Sequence, residues 1–490
     1  MRNLLSFIYV LSVLVLPSAA LAHVNSPDVY YDGNAGPYHL LVAVRPPVVV
    51  PGIAQIEIRV VEGDVEKIEI RPMRIVGPGA KLAPTADAAL RSSDDPHRFI
   101  GQLWIMSRGS WKVQVEAEGA KGKGEMGVPL PAVSSNTARM NAPLGALLAV
   151  LGLALLVGLA GIIGAATRDA DLATDEQPDR AKSTRALLRT VLAAVLLLGI
   201  VIFGNWWWSQ DAQAIDRLNY KQPRVQAWLQ AGNLLRLTLE NPNIPEPNRF
   251  GIENPERLRL DDLIPDHGHL LHLFLVSMPD MKSFWHLHPD KIGEGEFALN
   301  LPMLPAGRYQ IYADIVHHTG FPETQVGVID LPALVGEPLS GDDSGASSLA
   351  PQENISQLSG GYRMIWQRDS QPLRAGQPIR FRFRVEDQNG KPATDLENYM
   401  GMAGHMALVS SDGKVFAHIH PAGTVSMAAA SLAGDARQKQ DVMGEMHGAP
   451  HSGEVSFPYG FPQAGEYRLF VQIKRAGHVE TGAFSAHVGP

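Results

Sequence analysis

Two histidines one residue apart can converge on a single cation when they lie on a β-strand. The chain offers this pattern twice, in FWHLHPD (284–290) and in VFAHIHPAG (415–423). Side chains alternate between faces along a strand, with about 3.3 Å of rise per residue, so His286 and His288 share a face with Cα atoms roughly 6.6 Å apart. His418 and His420 do the same. Trp285 and Leu287 point the other way, towards a core, while Phe284 and Phe416 lie on the histidine faces. Pro289 and Pro421 end the two strands, as expected at a strand terminus. Imidazoles so arranged suit Zn²⁺ or Cu²⁺.

Each pair has an upstream partner. DHGHLLHLFLVSMPDMKSFWHLHP aligns with MAGHMALVSSDGKVFAHIHP, and FALNLPMLPAGRYQIYADI with VSFPYGFPQAGEYRLFVQI, an internal repeat. A hairpin turn at Asp412-Gly413 would bring His405 back towards His418 and His420. The equivalent turn in SMPDMKS would bring His269 towards His286 and His288. Of 17 histidines, 14 follow residue 208, seven in each repeat. Isolated histidines on strands are ordinarily half-exposed polar positions, and it is the repetition that favours metal. Methionines add softer donors: Met400, Met402 and Met406 surround His405, and DVMGEMHGAPH carries Met443, Met446, His447 and His451 in a loop. Thioether with imidazole suits copper, with zinc as the alternative.

The elements around these residues read as strands. Residues 23–140, 209–334 and 359–490 each alternate apolar and polar positions over short runs broken by turn residues, which predicts three immunoglobulin-like β-sandwiches. Residues 335–358 are rich in Gly, Ser and Pro and read as a linker. Residues 1–22 read as a cleaved signal peptide, with Arg2, an apolar run and Ala20-Leu21-Ala22. Cleavage there would expose His23 as the mature N-terminus, whose α-amine and imidazole could chelate copper. Segments 143–166 and 190–208 are apolar and long enough to span a bilayer. Between them, 167–189 carries Arg168, Arg180, Lys182, Arg185 and Arg189, which places that stretch in the cytoplasm and the three β-domains outside it. The expected location is the bacterial inner membrane with most of the chain in the periplasm.

Composition excludes several classes. The 490 residues contain no cysteine, which removes disulfides, thiolate catalysis and cysteine metal sites. A net charge of −8 gives no basic surface for nucleic acid. There is no G-x-S-x-G, HExxH, P-loop or Rossmann fingerprint.

The first domain, with VRPPVVVPGIAQIEIRV and FIGQLWIMSRGSWKVQV, resembles the YtkA/FixH-like periplasmic β-sandwich domains. The later domains, with MGMAGH and HxHP, resemble modules of bacterial envelope proteins with a copper-related role. The His23 N-terminus is similar to that of CopC-like proteins and copper monooxygenases. These resemblances imply a fold, a compartment and a connection with a copper-dependent oxidase or a metal efflux system. Three functions follow as expectations: a membrane-anchored periplasmic copper-handling or copper-delivery protein; a non-catalytic scaffold for assembling a respiratory or efflux complex; and a metal-dependent enzyme, in which His269, His286 and His288 would hold a metal with an open coordination position and Asp266, Asp290 or Asp314 would assist.

Overall fold

The computed structural model describes residues 28–77, 79–137, 140–170, 172, 176–216, 219–243, 259–369, 371–434 and 453–490. The expected signal peptide, His23 and the loop with Met443, Met446, His447 and His451 lie outside the described residues. Among the described residues the chain is mainly β, with three α-helices, two of them long and apolar. It forms two compact units, 1–133 with 221–490, and 134–220.

In the larger unit the alternation read from the sequence becomes layers. Eight strands between Val29 and Ala132 form one antiparallel sheet. The strand Gly52–Glu62 buries Ala54, Ile56, Ile58 and Val60 and leaves most intervening residues exposed, as a period of two requires. A second, nine-stranded sheet runs from Arg224 to Ala346 and buries Leu235, Leu237, Leu273, Leu275, Trp285 and Leu287 in one cluster. Beyond it, a four-stranded and a five-stranded sheet enclose a third cluster that includes Trp366, Phe381, Phe383, Met406, Leu469 and Phe484.

The second and third regions meet face to face. Phe274, Val276, Phe284 and Tyr312 of one share an apolar cluster with Ala407, Val409, Phe416 and Phe470 of the other. Phe284 stacks on Phe470 with ring centres 4.4 Å apart, and Tyr312 on Phe416 at 4.2 Å. Each fully buried aromatic contributes about 1.5–3 kcal/mol through burial. Because Phe284 and Phe416 share strand faces with the histidine pairs, this contact draws both histidine faces into one interface.

The stretch 335–358, expected as a linker, carries the strand Ser344–Ala346, which pairs antiparallel with Phe284–Leu287. Gly345 lies against the Trp285 ring, where a Cβ would fall 2.0 Å from a ring carbon. Trp285 therefore admits only a residue without a side chain there.

The smaller unit contains α1 (Ala142–Asp169) and α2 (Arg180–Asp216), both long and apolar enough to cross a membrane. The Asn141 side chain caps α1 by accepting from the Leu144 N–H. Gly164 lets the helices approach, since a Cβ there would lie 2.0 Å from the Thr190 hydroxyl. Arg180, Lys182, Arg185 and Arg189, expected in a loop, stand instead on the opening turns of α2. Nothing in their sequence breaks a helix, so the helix extends beyond the apolar span.

Candidate metal centre

The antiparallel pair His272–Met278 and Phe284–Leu287 fixes the first group of histidines. Phe274 lies opposite His286. Continuing that register sets His272 beside His288 on the same face. The donor nitrogens of His272, His286 and His288 all lie within 4.8 Å of one another. His272 Nδ1 is 3.0 Å from His286 Nε2. His269, expected in this triad, stacks on the His288 ring at 3.9 Å and bonds Asp342 at 3.3 Å. The physical reason is parity: His269 precedes the strand, in the turn where Asp266 and His269 exchange backbone hydrogen bonds, whereas His272 opens it.

The second group forms around the hairpin His405–Ser410 and Phe416–Ile419, in which Ala407 faces His418. It gathers the rings of His405, His418 and His420, with centres 4.5–5.4 Å apart. The set with converging donor atoms, however, is His267, His405 and His420, again within 4.8 Å. His267 belongs to the preceding region, so this triad crosses the interface. His267 Nε2 lies 3.3 Å from His420 Nε2. A metal–nitrogen bond of about 2.1 Å in tetrahedral geometry places donors roughly 3.4 Å apart, so both triads are near ligand spacing.

The opposite nitrogens determine which atoms carry lone pairs. His272 Nε2 donates to the Asp266 carbonyl at 3.0 Å, and His286 Nδ1 to Gln472 Oε1 at 3.1 Å. His288 Nδ1 donates to the Asp343 carboxylate at 2.9 Å. In the other triad His267 Nδ1 donates to the Met400 carbonyl at 2.9 Å and His420 Nδ1 to the Val425 carbonyl at 3.1 Å. A carbonyl can only accept, so the proton of each ring is on its outward nitrogen. The inward nitrogens then present lone pair to lone pair at 3.0 and 3.3 Å. That arrangement is repulsive unless a cation lies between them. Outer acceptors that fix the tautomer of a ligating imidazole are the usual companions of a metal site.

Burial keeps these rings neutral. It pushes His267 and His420 down to about 4 and holds His272, His286, His405 and His418 well below the ordinary imidazole value. His288 is lowered by burial too, against the opposing pull of Asp343. His288 Nε2, His418 Nε2 and both nitrogens of His405 are buried without a hydrogen-bond partner.

The methionines have other roles. Met406 points to the opposite side of its strand from His405, into the core between the two sheets of the third region. Met402 packs on Met427. Met400 adopts a left-handed backbone (φ 50) and contributes its carbonyl to His267. Sequence reasoning missed His267 and His272. The signal was present in DHGHLLHL, a third HxH followed by a histidine at the strand's mouth.

Comparison with known proteins adds little. A family model described as a domain of unknown function, DUF8832, matches residues 356–489, the third β-region alone. No curated protein matches the chain. Among solved structures, a 1.5-MDa bacterial ice-binding adhesin aligns at 6% identity and TM-score 0.15, covering 89% of this chain and 91% of that one. Salmonella alpha-2-macroglobulin reacted with methylamine aligns at 9% identity and TM-score 0.19, covering 97% of this chain and 24% of its own. Invasin, a bacterial integrin-binding protein, aligns at 8% and 0.13, covering 92% of this chain and 60% of its own. At such TM-scores these likenesses carry no argument.

Proposed function

We propose that the protein is a membrane-anchored metal-binding protein of the bacterial envelope, holding copper in an interface between two immunoglobulin-like β-sandwiches. On this reading α1 and α2 anchor it in the inner membrane, and the β-domains lie in the periplasm. The observation that carries the proposal is the facing lone pairs. In each triad two imidazole nitrogens point at one another with their protons committed outward, which is stable around a cation and unfavourable without one. Donors made only of imidazole accept Zn²⁺ as well as Cu²⁺, and the Irving–Williams order favours Cu²⁺ for the same set. The donors are almost wholly buried, and five of the six, all but His405, are held by fixed acceptors, which supports retention over rapid surface exchange. Transfer to a copper-dependent oxidase or efflux system would then require the interface to open.

The test is metal analysis of the full chain purified in detergent, beside a His286→Ala/His405→Ala variant. Wild type should retain copper through desalting and the double variant should lose most of it. Equal, negligible copper in both would leave the histidines structural, and a tethered β-rich scaffold as the remaining function.

A further inference from the structure

His418 is not needed by either triad, yet it sits between them. Its ring centre lies 4.5 Å from His420 and 5.4 Å from His405 on one side, and 5.4 Å from His272 and 5.5 Å from His286 on the other. Its Nδ1 faces Asp314 at 3.5 Å, and its Nε2 is buried without a partner. The triads themselves are neighbours: His267 and His272 have ring centres 6.0 Å apart, and His286 and His405 are 6.1 Å apart. Ions held in the two triads would therefore be close neighbours, as in two-metal sites.

Charge points the same way. Neutral imidazoles do nothing to offset two divalent cations, and the carboxylates against the triad rings and His418, namely Asp266 at 3.9 Å from His267 Nε2, Asp314 at 3.5 Å from His418 and Asp343 at 2.9 Å from His288, set three negative charges against four positive ones. The remaining repulsion is strong where the dielectric is low. An anion shared by both ions relieves it. Space restricts that anion. His286 and His405 are 0% and 1% exposed and His420 is 2% exposed, and the facing nitrogens stand only 3.0 and 3.3 Å apart, so the anion would be enclosed by the rings, which favours one of hydroxide size.

We propose that the two triads are one binuclear copper centre, in which the ions share a single small anionic bridge of hydroxide size and His418 supplies a seventh nitrogen between them. The proposal rests on the metal-binding reading above. A bridge of this kind couples the unpaired electrons of two cupric ions, and independent sites do not.

The test uses the full chain in detergent, loaded with copper(II) sulfate and desalted, its copper verified as cupric by the X-ray absorption edge. Metal content is compared with the spin count from electron paramagnetic resonance. The expected result is two copper ions per chain with a spin count below half of the copper. His405→Ala should hold one ion with a spin count equal to its copper; neither nitrogen of His405 has a hydrogen-bond partner, so this change orphans no polar group. Two ions with a full spin count, or one ion in wild type, would overturn the binuclear centre while leaving metal binding intact. No retained copper at all would instead refute the underlying reading. The wild-type measurement decides the matter even if the variant fails to fold.

Discussion

At the scale of single residues, the centre depends on protons as much as on lone pairs. Gln472 is an example: it belongs to the third region, lies opposite His405 in its sheet, and accepts the His286 Nδ1 proton across the interface. Replacing Gln472 by Leu removes that acceptor while keeping bulk. Outer-shell changes of this type cost about 10–100-fold in metal affinity, and a competition titration with a copper chelator should show a loss in that range without unfolding. A different histidine governs stability against pH. His317 is buried between Asp262, at 2.9 Å, and Glu323, at 3.2 Å. Burial alone would lower its pKa, but the two carboxylates prevail and raise it to about 9. A pKa raised on folding stabilises the fold fully below the unfolded value of 6.5, and that stability is lost as pH rises through 9. The contribution is roughly 3 kcal/mol at about 1.4 kcal/mol per unit. Thermal melts of wild type should therefore fall between pH 6.5 and 9, and His317→Gln should flatten that interval; an unchanged slope in the variant would show that His317 is not the titrating group.

At the scale of elements, strand parity and register explain what could be read in advance. His286 and His288, and the return of His405 to His418 and His420, follow from a period of two and a short hairpin, and both are visible in the sequence. The same parity selects His272 over His269, but only once the strand's start is known, and strand ends are poorly marked in a run such as GHLLHLFLV. The role of His267 was not legible, because it depends on two sheets packing through Phe274, Phe284, Phe416 and Phe470, and an apolar residue does not announce which partner it will meet. The linker was misjudged for a similar reason: its Gly and Ser residues suit a flexible tether, and Gly345 is needed because Trp285 leaves no room for a Cβ. Gly345→Val should push out the strand Ser344–Ala346 and with it Asp343, the acceptor for His288. Overpacking typically costs 1–3 kcal/mol, so both the melting temperature and copper retention should drop together. Separately, α3 (Met427–Ala433) and the loop before it seat His420 through the Val425 carbonyl, and the first β-region grips them by Ala429, Ala430 and Val425 in its own core. This explains what the first domain contributes to a centre it does not line.

At the scale of the whole molecule, a metal held by a triad whose members come from two regions would act as a fastener. Any cation bound to the folded form adds RT ln(1 + [L]/Kd), about 4 kcal/mol at a thousandfold excess over Kd. Chelation should lower the melting temperature of the β-rich unit, and the loss should shrink in His267→Ala, which severs the cross-interface triad. The membrane role of the two apolar helices is tested by extraction: the full chain should need detergent, and a chain lacking 134–220 should not. The central claim is that every protein donor to the metal is an imidazole. Extended X-ray absorption fine structure of the copper-loaded full chain tests it most directly. Three or four nitrogens at about 2 Å with the outer-shell scattering of imidazole rings is the predicted result; a first shell of oxygen or sulfur without that imidazole signature would contradict it.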